Sequence, residues 1–115
     1  MTMLRFPDDA DGESLRRLHE KGDRLEVSRA MDLYLVFQRQ RDAEKFCTLL
    51  EAEGLDAGVI SPMRKGGRWT ANVVTYIVPT YENLAAFKTF LERFALPLGG
   101  KHSDWGCHVI LPNRE

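Results

Sequence analysis

Three histidines, two cysteines and a run of early acids are the groups in this chain that could do chemistry, and their spacing limits what they can do. No two of His19, His102 and His108 lie at metal-ligand spacing, and each falls on a separate stretch of chain. Ser103 and Asp104 beside His102 have the residue types of a nucleophile, an acid and a base. Neighbours in a chain, however, seldom face one another as a catalytic pair must, so the segment reads as an exposed turn. Cys47 and Cys107 stand far apart with no CxxC, which removes structural zinc and dithiol redox chemistry. Both read as small buried apolar residues. No catalytic residue and no metal ligand is expected.

The acids Asp8, Asp9, Asp11 and Glu13 could hold a hard cation, but the calcium-loop pattern with its closing glutamate is missing. A helix start explains them better, because the positive end of the helix dipole favours carboxylates in the first turn. They also form an acidic edge that could face a partner. Lys65-Gly66-Gly67 and Leu98-Gly99-Gly100-Lys101 lack phosphate-loop spacing. Trp69 and Trp105 read as anchors at the core or its margin, with Gly106 marking a bulge or close approach. No cofactor is implied.

Chemistry of this kind needs elements to position it, and 115 residues is the size of one domain, taken as 1–115. The chain is 43% hydrophobic and 29% charged, as expected of a soluble protein. No apolar run approaches the roughly 20 residues of a membrane span, and Met1–Pro7 lacks the apolar stretch of a leader. A cytoplasmic location is the default expectation, with no membrane partner. The net charge of −1, divided as −3 over residues 1–54 and +2 over 55–115, argues against a protein that grips nucleic acid through its overall field.

Asp8 to Gly22 reads as a short helix on the edge of the core, with a narrow stripe of Leu15, Leu18 and His19. Residues 29–38 alternate: Met31, Leu33, Leu35 and Phe37 face one way, Asp32, Tyr34 and Val36 the other. Ala43, Phe46, Cys47 and Leu50 recur at helical spacing from Gln40 to Glu53, and Gly54 ends that helix. A weaker strand follows at 55–63, then a hairpin turn at 64–68 whose paired glycines supply positive φ angles.

The strand at 68–78 places Trp69, Ala71, Val73, Thr75 and Ile77 on one face and Val74 and Tyr76 on the other. Pro79 ends its ladder and Thr80 caps a helix carrying Leu84, Phe87, Leu91 and Phe94, with Phe90 alongside. A last strand is expected from about Asp104 to Leu111.

After the leading helix, this order is βαββαβ, a ferredoxin-like α+β sandwich with a four-stranded antiparallel sheet and both long helices on one face. The expected strand order is 4-1-3-2. Its two central strands would then turn Tyr34, Val36, Val74 and Tyr76 outward together. RNA-reading domains share this architecture, but Arg68-Trp-Thr-Ala-Asn-Val-Val does not match their aromatic motif, and the near-neutral charge offers phosphate little attraction.

Three segments together resemble the RraB family, regulators of the endoribonuclease RNase E. They are Phe6-Pro-Asp-Asp-Ala-Asp-Gly12 before a leucine-bearing helix, Trp69-Thr70 through Val78-Pro-Thr-Tyr81, and Gly99-Gly100 followed by Asp104-Trp-Gly106. The resemblance spans about residues 6–107. It implies a cytoplasmic bacterial protein with a ferredoxin-like fold, no catalytic activity, and a role in mRNA decay by binding the nuclease, including its scaffold region. Members with a long acidic C-terminal extension differ from this sequence, which ends at Asn113-Arg114-Glu115, so contacts of such an extension do not carry over.

The expectation is therefore a protein-binding regulator whose partner is RNase E or another RNA-decay component, with no direct nucleic-acid contact. Its first candidate surface is Tyr34, Val36, Val74 and Tyr76. The second is Asp8, Asp9 and Asp11. The alternatives are a module that binds a small ligand or forms a homodimer through the open sheet face, and a weak RNA binder.

Overall fold

The computed structural model describes residues 6–112. The expectations placed on the leader-free start at Met1–Arg5 and on the Asn113–Glu115 end lie outside the described residues. The element order is α1 (Ala10–Glu20), β1 (Arg29–Phe37), α2 (Gln40–Ala52), β2 (Asp56–Ile60), β3 (Trp69–Ile77), α3 (Tyr81–Ala95) and β4 (Lys101–Cys107), with a 3-10 turn at Leu96–Leu98. The four strands form one antiparallel sheet in the order β2-β3-β1-β4, the expected ferredoxin-like arrangement.

Alternation in β1 becomes burial directly. Met31, Leu33, Leu35 and Phe37 are sealed on the helix side with Ala71 and Val73 of β3. Against them pack Ala43, Phe46, Cys47 and Leu50 of α2 and Leu84, Leu91 and Ala95 of α3. Each buried leucine or phenylalanine contributes about 1.5–3 kcal/mol relative to exposure, so this cluster is the main stabilising mass of the fold. Phe87, Phe90 and Phe94 run along the flank of α3 as a half-buried aromatic row.

The strand–helix corner forms as its residues dictate. Thr80 caps α3 by accepting from the Asn83 N–H at 3.0 Å. Asn83 in turn donates its side-chain amide to the Val78 carbonyl at 2.9 Å, holding the corner around buried Pro79.

Four local expectations differ from the structure. The last strand begins three residues earlier than expected and ends at Cys107. The apolar run Val109-Ile110-Leu111 imitates a strand, but Ile110 instead accepts a hydrogen bond from the Arg24 N–H at 2.7 Å, outside the sheet. The bulge in β4 falls where Tyr34 and Leu35 pair with Asp104 and His102, not at Gly106, beside whose Cβ position nothing lies within 4 Å. The β2–β3 connection runs from Ser61 to Arg68, and of its two glycines only Gly66 takes positive φ. The β2 strand is shorter than the expected 55–63, because Pro62 has no N–H to give the ladder.

Gly100 belongs to one of the motifs that carried the resemblance, and the structure gives it a reason. A Cβ there would collide with the Phe37 ring and press on Ala95, so the absence of a side chain lets the turn into β4 close over the core.

Candidate functional site

The sheet face away from the helices is assembled from four strands, and the register fixes who neighbours whom. Val36 pairs with Thr70, Tyr34 with Asn72, Asp32 with Val74, and Ala30 with Tyr76. On the far sides, Asp56 pairs with Val74, Ile60 with Thr70, and Asp104 with Tyr34. Neighbouring strands lie about 4.8 Å apart, so Tyr34 sits between Asn72 and Asp104, and Val74 between Asp32 and Asp56.

All four apolar candidates therefore occupy this face, but not as one compact cluster. Tyr34 and Tyr76 are two rows apart along the strands, with the Asp32–Val74 pair between them. Tyr34, Val36 and Val74 are half-buried by their neighbours, whereas Tyr76 stands 72% exposed at the end of the sheet.

The register also shows what the sequence reading passed over. Asp32, Asp56 and Asp104 converge around Tyr34 and Val74, giving the middle of the face a carboxylate rim. Among the described residues none of the three forms a salt bridge. Asp32 accepts only a long 3.3 Å bond from the Asn72 amide, and Asp104 caps the Trp105 N–H at 2.8 Å. Alternation would have placed each acid outward, but their convergence follows from strand order and register. Arg68 and Lys101 flank Val36 at the opposite end of the face.

The second candidate group behaves differently. Asp9 is the N-cap of α1, accepting from the Gly12 N–H at 2.8 Å and from the Tyr81 hydroxyl at 2.5 Å. The tyrosine hydroxyl first, then the amide, hold its carboxyl below the ordinary carboxylate value. Reciprocally, its bond to Asp9 raises Tyr81. Asp11 accepts from the Trp105 indole N–H at 2.8 Å and pairs with Lys88 at 2.6 Å. Only Asp8 of the three is exposed and free of hydrogen bonds among the described residues.

Two of these acids thus fasten α1 to α3 and β4. Gly12 adds to the fit, because a Cβ there would overlap the Pro7 carbonyl. Replacing Asp11 with Ala should cost about 2 kcal/mol, the size of lost hydrogen bonds to a charged group. Hydrogen exchange should show α1 amides losing protection while those of β1 and β3 keep theirs; uniform loss would mean that α1 is no separate unit. Acid should act similarly. Asp9 has a depressed folded pKa, so its contribution is complete above about pH 4 and is lost as pH falls further. The α1 amides should become unprotected at a higher pH than those of the sheet.

Of the other reactive groups, His102 and Cys47 are committed to structure, whereas His19 and His108 lie exposed. His102 lies between the Lys88 carbonyl at 3.1 Å and Glu92 at 3.5 Å, packed toward α3 instead of standing in the exposed turn expected of it. Burial, reinforced by Glu51 and Glu44, pushes the Cys47 thiol up to about 11. Burial also raises Cys107, which is half-buried and not sealed as expected. Among the described residues, no group of three or more His, Cys, Asp or Glu side chains is placed to hold a metal ion. Nor does any described helix have the length and apolarity to cross a membrane.

Fold and face together define a class: a ferredoxin-like α+β sandwich with an added N-terminal helix and one open, acid-rimmed sheet surface. Within that class the chain belongs to the RraB family, whose model, described as regulator of ribonuclease activity B, matches residues 8–107. The family's role is to regulate a ribonuclease. Comparison with curated proteins found no match.

Proposed function

We propose that this protein is a non-enzymatic regulator that binds the endoribonuclease RNase E and restrains its cleavage of RNA, with the open sheet face as the docking surface. One observation carries the choice of surface: Tyr34 and Val74 sit at the centre of a helix-free face and are ringed by Asp32, Asp56 and Asp104. A central aromatic with polar groups around it is the arrangement in which few residues supply most of the binding energy. These carboxylates, without a salt bridge among the described residues, select a cationic partner segment and steer its approach.

The acidic edge at α1 is the weaker docking surface, since Asp9 and Asp11 are already engaged. A direct RNA contact is disfavoured by the same acids, which would repel phosphate. The protein acts inside the compartment where RNA decay proceeds, the cytoplasm.

The test is a cleavage assay with purified RNase E and a defined RNA, with and without this chain. Slower cleavage at stoichiometric concentrations, together with a 1:1 complex in a calorimetric titration, is the expected result. Unchanged cleavage and no heat would sink the proposal. Retention of RNA in the absence of the nuclease would favour the RNA-binding alternative, and a stable dimer burying Tyr34 would favour self-association.

A further inference from the structure

A cleft of about 210 Å³ opens between α1 and β4, on the opposite side of the sheet from the proposed docking face. Its helical wall is Ser14, Arg17, Leu18 and Lys21, the i, i+3, i+4 and i+7 positions of one stripe. The other wall comes from β4, with Trp105 and Cys107 both on the helix side of the strand. The Asp11–Trp105 hydrogen bond joins the two walls, and the Asp11–Lys88 pair ties the same helix to α3.

The charge of this cleft is unbalanced. Arg16, Arg24, Arg29 and Lys88 each have a carboxylate partner. Arg17 and Lys21 have none among the described residues; no acid is among the residues lining the cleft, and Asp11, which touches Trp105, is already paired with Lys88. Two cations four residues apart on a helix repel each other by a few tenths of a kcal/mol, which an anion between them would reverse. A guanidinium, an ammonium and the Ser14 hydroxyl together offer the donors that phosphate oxygens accept. The Trp105 indole gives its N–H to Asp11, so what it brings to the cleft is apolar ring surface.

We infer that this cleft binds an organic phosphate monoester with a flat ring, the phosphate held by Arg17, Lys21 and Ser14 and the ring lying against Trp105. The site is independent of the sheet face and of the proposed nuclease partner.

Trp105 reports on its own occupancy. In a Trp69→Phe background its fluorescence is the only indole signal, and adenosine 5′-monophosphate is the probe. Saturable quenching is expected, with inorganic phosphate and adenosine each binding more weakly. Arg17→Ala/Lys21→Ala should lower the affinity at least about tenfold, the loss expected from charged hydrogen bonds. Both side chains are exposed, and circular dichroism should show the variant folded.

No saturable change at millimolar nucleotide would overturn the inference, as would equal affinity in the double variant. Adenosine binding as tightly as the nucleotide would remove the phosphate from the recognition, and inorganic phosphate binding equally well would remove the ring.

Discussion

An Arg29→Ala chain should unfold at a much lower urea concentration than the parent, having lost about 3–5 kcal/mol of stability. Arg29 is 3% exposed and Asp23 is 5% exposed, and they form a 2.8 Å ion pair beneath the loop between α1 and β1. The guanidinium does more than neutralise the acid. It donates to the carbonyls of Arg24 at 2.8 Å, His108 at 3.0 Å and Val27 at 3.3 Å. One side chain thereby ties the loop before β1 to the segment after β4. Removing it strands a buried carboxylate, one of whose oxygens, Oδ1, already has no partner among the described residues.

Desolvation decides the size of the effect. A surface pair contributes about 1 kcal/mol or less, but breaking a buried pair exposes the survivor to the full cost of unpaired charge. Asp23→Ala should therefore be nearly as damaging. The apolar double variant Asp23→Leu/Arg29→Met should recover part of the loss, because no charge is left buried. Urea unfolding of the parent, Arg29→Ala, Asp23→Ala and the Asp23→Ala/Arg29→Ala double closes the cycle. Strictly additive losses would refute coupling through the ion pair. Against a typical total of about 5–15 kcal/mol, the single variants would lose roughly a fifth or more of their stability.

The second large effect belongs to binding. Tyr34→Ala should weaken the complex with the nuclease about thirtyfold, equivalent to about 2 kcal/mol at a central aromatic. Tyr76→Ala should cost less, because that ring stands at the end of the sheet where solvent already reaches it. Replacing Asp32, Asp56 and Asp104 together with Asn should slow association and flatten its dependence on salt. Neither tyrosine belongs to the buried core cluster, so the variants should fold. Calorimetric titration gives the affinities, and an unchanged value for Tyr34→Ala would exclude the face.

The difference between these two sites shows how far the chain could be read in advance. Position 29 follows the alternation that buries Met31 and Leu33, yet a charged residue there reads as a strand end at the surface. The acid at 23 and the carbonyls of Arg24, Val27 and His108, the last 79 residues away in sequence, make its burial tolerable. The outer face was legible to the extent that period-two alternation settles which residues share a side. Tyr34, Val36, Val74 and Tyr76 do share it. Their spread along the strands, and the carboxylates beside Val74 and Tyr34, depended on which residue of one strand faces which of the next.

The acids at the start of α1 make the same point in reverse. Asp9 as a cap is local, reaching an amide three residues on, and the run of early acids announced it. That Asp9 also meets Tyr81, and Asp11 meets Lys88 and Trp105, joins residues 72 to 94 positions apart. No pattern within the helix announces those contacts, and they turn an apparently free acidic edge into a fastening.

By itself the sequence determined the elements, their order and the ferredoxin-like sandwich, because periodicity, caps and proline act within a few residues of one another. The three motif segments and their spacing sufficed for the family as well. Only the tertiary structure decided which polar groups are engaged and which are free. A carboxylate's role depends on the donors within about 3 Å of it, and those come from parts of the chain that meet only once the sheet has closed.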